Sequence, residues 1–262
     1  MSNLFELKPL IITALHLPPF DRGKPLDSFW LEEYFLKNLE VFVKGGVRAI
    51  LVQDQTVCSG SAYPETIATM ASLVRLGRRE FPDIIFGIIL EAHDGVAPLA
   101  VAAACGASFV RIKVFIGAML KSSGILHGCG IEAASYRRLI GRGDIAILAD
   151  VFDRTGVPLG SVPLEQAAQW ALHLGADGLI LTGSTFQESI GMLQKIRQSQ
   201  SSARLILGGG VDINNVSQVF SIADGFIVSS SLKKNPCDED DLIKWDIAKV
   251  KALVEKAYPS EG

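Results

Sequence analysis

Two stretches near the C-terminus run from an apolar segment straight into small residues. Leu205-Ile206-Leu207 leads into Gly208-Gly209-Gly210, and Phe226-Ile227-Val228 leads into Ser229-Ser230-Ser231. Small side chains let backbone N–H groups approach an anion closely, and a helix starting just beyond adds its positive end. Gly208, Gly209, Gly210, Ser229 and Ser230 are therefore candidate phosphate ligands. Acid–base chemistry has its own candidates, because polar residues close one apolar run after another: His16, Gln53-Asp54, Glu91 with His93 and Asp94, Arg111 with Lys113, Asp150 with Asp153, and Thr182-Gly183-Ser184.

Asp150 follows Ile145-Ala146-Ile147-Leu148-Ala149, where a charge must be paired, hydrated or catalytic. Arg111 and Lys113 share one strand face through period-2 alternation, and Asp150 on the adjacent strand is a natural partner for these cations. Arg111 would hold an anionic substrate group, while Lys113 could serve as an acid, a charge stabiliser or a Schiff-base amine. The expected catalytic set is Asp150, Lys113, His93 and His16; the expected substrate contacts are Arg111, Asp54, Glu91, Asp153, Thr182 and Gly183. Structural readings stand beside these. His16 precedes Leu17-Pro18-Pro19 and could stabilise a turn, Asp54 could cap a loop, and Asp94 could cap a helix starting near Val96. His16, His93 and the carboxylates could also form a hard divalent-metal site, although no HExxH spacing supports one. No other cofactor is indicated.

These residues need a frame. Strand-like runs at Leu10–Leu15, Arg48–Gln53, Ile84–Leu90, Ser108–Val114, Ile145–Val151, Gly178–Leu181, Leu205–Leu207 and Phe226–Val228 alternate with helical patterns. The helices are expected at Trp30–Lys44, Pro64–Arg79, Val96–Cys105, Glu132–Ile140, Leu164–His173, Gln187–Gln198, Asn214–Ser221 and Asp240–Ala257. In the first, Leu31, Tyr34, Phe35, Asn38, Leu39 and Phe42 form a stripe at 3–4 spacing. Continuous apolar strands suit a parallel sheet covered on both faces. Eight such pairs predict a (β/α)₈ TIM barrel spanning 1–262 as one domain, with its chemistry at the C-terminal strand ends and a phosphate at the loops after strands 7 and 8. The alternative, a doubly wound sheet, lacks the expected GxGxxG first turn. The Gly-rich stretch Phe115–Gly130 reads as a mobile lid, and Asp238-Glu239-Asp240-Asp241 as an N-terminal cap for the last helix.

The chain has 262 residues, 48% hydrophobic and 20% charged, with net charge −3. That is ample for a full core and gives no basic footprint for nucleic acid. Cys58, Cys105, Cys129 and Cys237 form no CxxC pair, which suggests reduced thiols in a cytoplasmic protein. No secretory signal or membrane span is expected. A homo-oligomer is compatible with the fold, and Trp30, Trp170 and Trp245 are expected in the core rather than in a contact.

Several motifs, in order and over nearly the whole length, resemble the BtpA family of ribulose-phosphate-binding barrels: Ala14-Leu15-His16-Leu17-Pro18-Pro19, Ala107–Val114, Gly124-Ile125-Leu126-His127-Gly128, Ile147–Val151, Leu181-Thr182-Gly183, and Gly208–Val211 with Asn214-Asn215-Val216. The resemblance implies a barrel and a phosphorylated ligand; some members are linked to photosystem I biogenesis. Departures fall on the reaction side. Gln53-Asp54 stands where the family has Glu-Asn, Glu91-Ala92-His93-Asp94 for Arg-Asn-Asp, Arg111-Ile112-Lys113 for Arg-Val-Asn, and Asp153-Arg154 for Lys-His. This implies a paralogue with another substrate or one without catalysis. The expected activity is isomerase, epimerase or aldolase-type proton transfer on a small phosphorylated metabolite, such as a sugar phosphate. The alternatives are a non-catalytic assembly or regulatory factor and a nucleotide-binding barrel, the last without a base-stacking aromatic motif.

Overall fold

The apolar runs pair in parallel and close on themselves. The computed structural model describes residues 3–20, 27–58, 60–238 and 241–258. In chain order it contains β1 (Leu10–His16), α1 (Ser28–Lys44), β2 (Ala49–Gln53), α2 (Pro64–Glu80), β3 (Ile85–Ile89), α3 (Ala97–Cys105) and β4 (Phe109–Ile112). A short excursion, β5 (Ala118–Lys121) and β6 (Gly124–His127), precedes α4 (Gly130–Leu139), β7 (Ala146–Asp150) and β8 (Val157–Pro158). Then follow α5 (Leu164–His173), β9 (Gly178–Leu181), α6 (Phe186–Ser199), β10 (Leu205–Leu207), β11 (Gly225–Val228) and α7 (Ile247–Ala257). The barrel closes in the order β1-β2-β3-β4-β7-β9-β10-β11 and back to β1, so the fold is a (β/α)₈ barrel.

Alternation along each strand divides the core in two. Ile12, Leu51, Ile89, Phe109, Leu148 and Ile206 meet in the lumen, whereas Ile11, Ile50, Ile88, Val110 and Ile147 face the helices. The expected stripe of α1, from Leu31 to Phe42, is its buried face. Asn38 sits inside that stripe because its amide spans two chain segments: Nδ2 donates to the carbonyls of Tyr34 and Leu242, and Oδ1 accepts from Lys244 N–H at 2.8 Å. Those bonds pin the approach to α7 against α1.

Four expectations change. Phe115–Gly130 is not an irregular loop but carries the β5–β6 hairpin, with Ala118 opposite His127 and Lys121 opposite Gly124, and β8 adds a third strand through Leu120–Val157 pairing. The expected helix Asn214–Ser221 shrinks to a 3₁₀ turn at Val216–Gln218. Asp212 Oδ1 accepts from Asn214 and Asn215 N–H, and Asn215 Oδ1 accepts from Asp212 N–H, so local side-chain bonds satisfy amides that a helix would need. Asp246, not the acidic run, caps α7 by accepting from Ala248 N–H at 2.8 Å; Glu239 and Asp240 lie outside the described residues. Trp245 is buried, but Trp170 is 42% exposed rather than in the core.

Candidate active site at the barrel mouth

Each strand changes character at the same height. Two residues past the last apolar lumen residue lies a polar or small one: His16 after Ala14, Gln53 after Leu51, Glu91 after Ile89, Arg111 after Phe109, Asp150 after Leu148, Thr182 after Ile180, Gly208 after Ile206 and Ser229 after Ile227. Period 2 makes these eight one layer, the floor of the mouth.

Ion pairs hold this floor in place. Arg111 donates from Nε and Nη2 to the two oxygens of Asp150, both at 2.9 Å. Lys113 Nζ donates to both oxygens of Glu91 at 2.7 and 2.5 Å, and Gln53 Nε2 donates to Glu91 Oε1 at 2.6 Å. Glu91 thus fixes the position of Lys113 Nζ. Burial pushes Asp150 up, against the pull of Arg111. Asp54 lies behind the layer, wholly buried, accepting from Glu91 N–H at 2.8 Å and Thr56 N–H at 3.1 Å. Burial raises its carboxyl to about 6, though those two N–H bonds oppose the shift.

Above the floor opens a cavity of about 390 Å³. The loops after β10 and β11 line it with Gly208, Gly209, Gly210, Ser229, Ser230 and Ser231, and β4 and the loop after β7 add Arg111, Lys113, Asp153 and Arg154. Gly208 is pressed against Thr182, whose Oγ1 would lie 1.9 Å from an added Cβ, and Gly210 turns with φ +78°. Among the described residues no carbonyl or side chain accepts from the N–H groups of Gly209, Gly210, Ser230 or Ser231. The Ser229 hydroxyl instead donates to the Ala14 carbonyl at 2.7 Å.

His16 also lines the cavity, its ring edge-on to Trp245 at 6.4 Å. Burial, then the charges of Lys233, Lys113 and Arg111, lower its pKa to about 4, so the imidazole is neutral at pH 7. Asp153 accepts from Lys121 Nζ and from Thr155 N–H and Oγ1; burial works against these bonds, yet they hold its carboxyl below the usual range.

The structure gathers His16, Arg111, Lys113, Asp153, Gly208, Gly209, Gly210, Ser229 and Ser230 around one cavity. It places Asp150 and Glu91 as the partners that hold two of those cations. Asp54, Thr182 and Gly183 do not line it. His93 turns to the hairpin, donating from Nε2 to the His127 carbonyl at 2.7 Å, and Asp94 caps the start of α3 through Val96 and Ala97 N–H. Among the described residues no three His, Cys, Asp or Glu side chains converge as a metal site. Asp212 and Lys121 were not singled out from sequence; Arg154 and Ser231 were noted only within the Asp153-Arg154 departure from the family pattern and the Ser229-Ser230-Ser231 run, without a site role.

A model of the BtpA family matches residues 7–258. The chain belongs to the BtpA family. It is 32% identical over 248 residues to the photosystem I biogenesis protein BtpA of Synechocystis sp., covering 90% of this chain and 84% of that one. An uncharacterised protein of Pyrococcus furiosus is 31% identical over 238 residues, covering 88% of each chain. Among solved structures, 3-hexulose-6-phosphate synthase superposes with TM-score 0.60 at 15% identity, covering 95% of this chain and 99% of that one. Phosphoribosyl anthranilate isomerase from Thermus thermophilus gives TM-score 0.54 at 14% identity, covering 95% and 98%. At such identities these structural likenesses speak to the barrel alone. No helix among the described residues is long and apolar enough to cross a membrane.

Proposed function

We propose that this BtpA-family barrel is an enzyme that moves a proton beside a carbonyl group in a small phosphorylated metabolite, as in isomerase, epimerase or aldolase-type chemistry. The observation that carries this reading is the cavity wall, where the amides of Gly209, Gly210, Ser230 and Ser231, without an acceptor among the described residues, share one space with Arg111, Lys113 and neutral His16. Amides of this kind suit a phosphate, and the loops after barrel strands 7 and 8 are its usual seat. The names of the structural neighbours, a hexulose-phosphate synthase and a phosphoribosyl isomerase, agree with that substrate class.

In this reading His16 takes the proton from the carbon next to the carbonyl. Lys113, held in place by Glu91, faces the oxygen on which negative charge develops. The lowered pKa of His16 fits a base that works only with substrate bound. The phosphate dianion offsets the charges of Lys233, Lys113 and Arg111, so its arrival raises the imidazole pKa.

The test combines binding and exchange. Sugar phosphates at about 100 times Kd should stabilise the chain by about 2.7 kcal/mol, and unphosphorylated sugars should not. In D₂O, NMR should show deuterium entering the carbon beside the carbonyl, and His16→Gln should stop it. Gly209→Asp places a carboxylate in open space within the cup and should abolish phosphate stabilisation. Unchanged stabilisation in that variant would end the proposal.

A second reading, a non-catalytic assembly or regulatory barrel, rests on the name of the Synechocystis relative. It retains phosphate binding and shows no deuterium exchange with any bound sugar phosphate.

A further inference from the structure

Among the described residues, the charges that line the cavity are nearly all paired, and the exception is informative. Arg111 is neutralised by Asp150, Lys113 by Glu91, and Lys121 by Asp153. The remaining acid of the cavity wall, Asp212, accepts from Asn214 and Asn215 N–H. Arg154 also lines the cavity, yet its guanidinium has no carboxylate within ion-pair distance among the described residues. It comes from the loop after β7, the fifth strand of the barrel, whereas the amide cup follows the seventh and eighth. A group seated in the cup and a group meeting Arg154 therefore approach from different sectors of the mouth.

We propose, building on the phosphate reading above, that the substrate is anionic at both ends: a phosphate monoester in the cup and a carboxylate at Arg154. One uncommitted guanidinium balances one monoanion, and its planar fork matches a carboxylate on two N–H bonds. A second phosphate would bring a dianion to a sector with a single uncommitted cation. The substrate class is thus a phosphorylated sugar acid rather than a neutral-tailed sugar phosphate.

Calorimetric titration of the full chain with 6-phosphogluconate, glucitol 6-phosphate, glucitol 1,6-bisphosphate and inorganic phosphate decides this. The wild type should bind 6-phosphogluconate about tenfold more tightly than glucitol 6-phosphate. Arg154→Gln, a change at an exposed side chain, should erase that preference and leave glucitol 6-phosphate affinity unchanged. Equal binding of these two ligands by the wild type overturns the carboxylate, as does an Arg154→Gln loss shared by both. Tightest binding of the bisphosphate also overturns it, in favour of a second phosphate. If none of the four ligands binds, the phosphate cup fails and this proposal fails with it; if phosphate and glucitol 6-phosphate bind but 6-phosphogluconate binds no more tightly, only the second anion is lost.

Discussion

Replacing Asp150 by Asn should destabilise the barrel whatever it does to proton transfer. Asp150 is 2% exposed and accepts two 2.9 Å bonds from Arg111, which is itself 14% exposed. The amide keeps one acceptor and turns an NH₂ toward the guanidinium, leaving a buried cation without its counter-charge. Breaking a buried pair from one side costs about 3–5 kcal/mol. For a chain of this size each kcal/mol moves Tm by about 2–4 °C, so a fall of about 6–20 °C is expected. Urea unfolding followed by circular dichroism measures the free energy directly. Arg111→Met with Asp150→Leu should recover most of the loss, because it removes both charges and keeps apolar volume. A cost for Asp150→Asn below about 1 kcal/mol, the range of exposed pairs, would refute the view that this pair is desolvated and structural.

Three other outcomes follow from the geometry. Asp54 binds its proton more tightly when folded, with its pKa raised to about 6, so acidification through about pH 6 to 4 favours folding; His16, lowered to about 4, binds it less tightly, so acidification from about 6.5 to 4 disfavours folding. Each effect is on the order of 2–3 kcal/mol, and they oppose one another. Urea midpoints of Asp54→Asn should therefore fall on acidification across this window relative to wild type, and those of His16→Gln should rise; parallel profiles would contradict both assignments. Gly208→Ala drives a methyl into Thr182 Oγ1 and should cost about 1–3 kcal/mol while weakening phosphate binding in calorimetry. Lys121→Ala removes the hairpin's ion pair to Asp153, and hydrogen exchange of the β5–β6 amides should quicken while that of the barrel strands stays unchanged.

Much of the frame could be read from the chain because its signals are local. A continuous apolar run bounded by helix ends specifies a covered parallel strand without knowledge of its neighbours, and β9, β10 and α5 fall where the runs and stripes place them. The stripe of α1 was legible for the same reason, down to buried Asn38. Failures occurred where local rules compete. Glycines at 117, 124, 128 and 130 hid a hairpin whose strands are only four residues long, and Asp212 with Asn215 captured the amides that a helix after β10 would have used.

The sequence by itself determined the barrel, the two small-residue loops and the presence of one polar or small residue at each strand end, since these depend on periodicities of two and 3.6 along one chain. Other partnerships were decided only when the strands closed. Arg111 meets Asp150 across 39 positions, the partner expected on the adjacent strand, but Lys113 meets Glu91 across 22, a contact that no spacing rule encodes. The same closure pointed His93 at the hairpin, buried His16 among cations and left Arg154 facing the cavity with no ion pair among the described residues. A residue's charge is written in the chain, but its counter-charge and its water are set by what the fold packs around it.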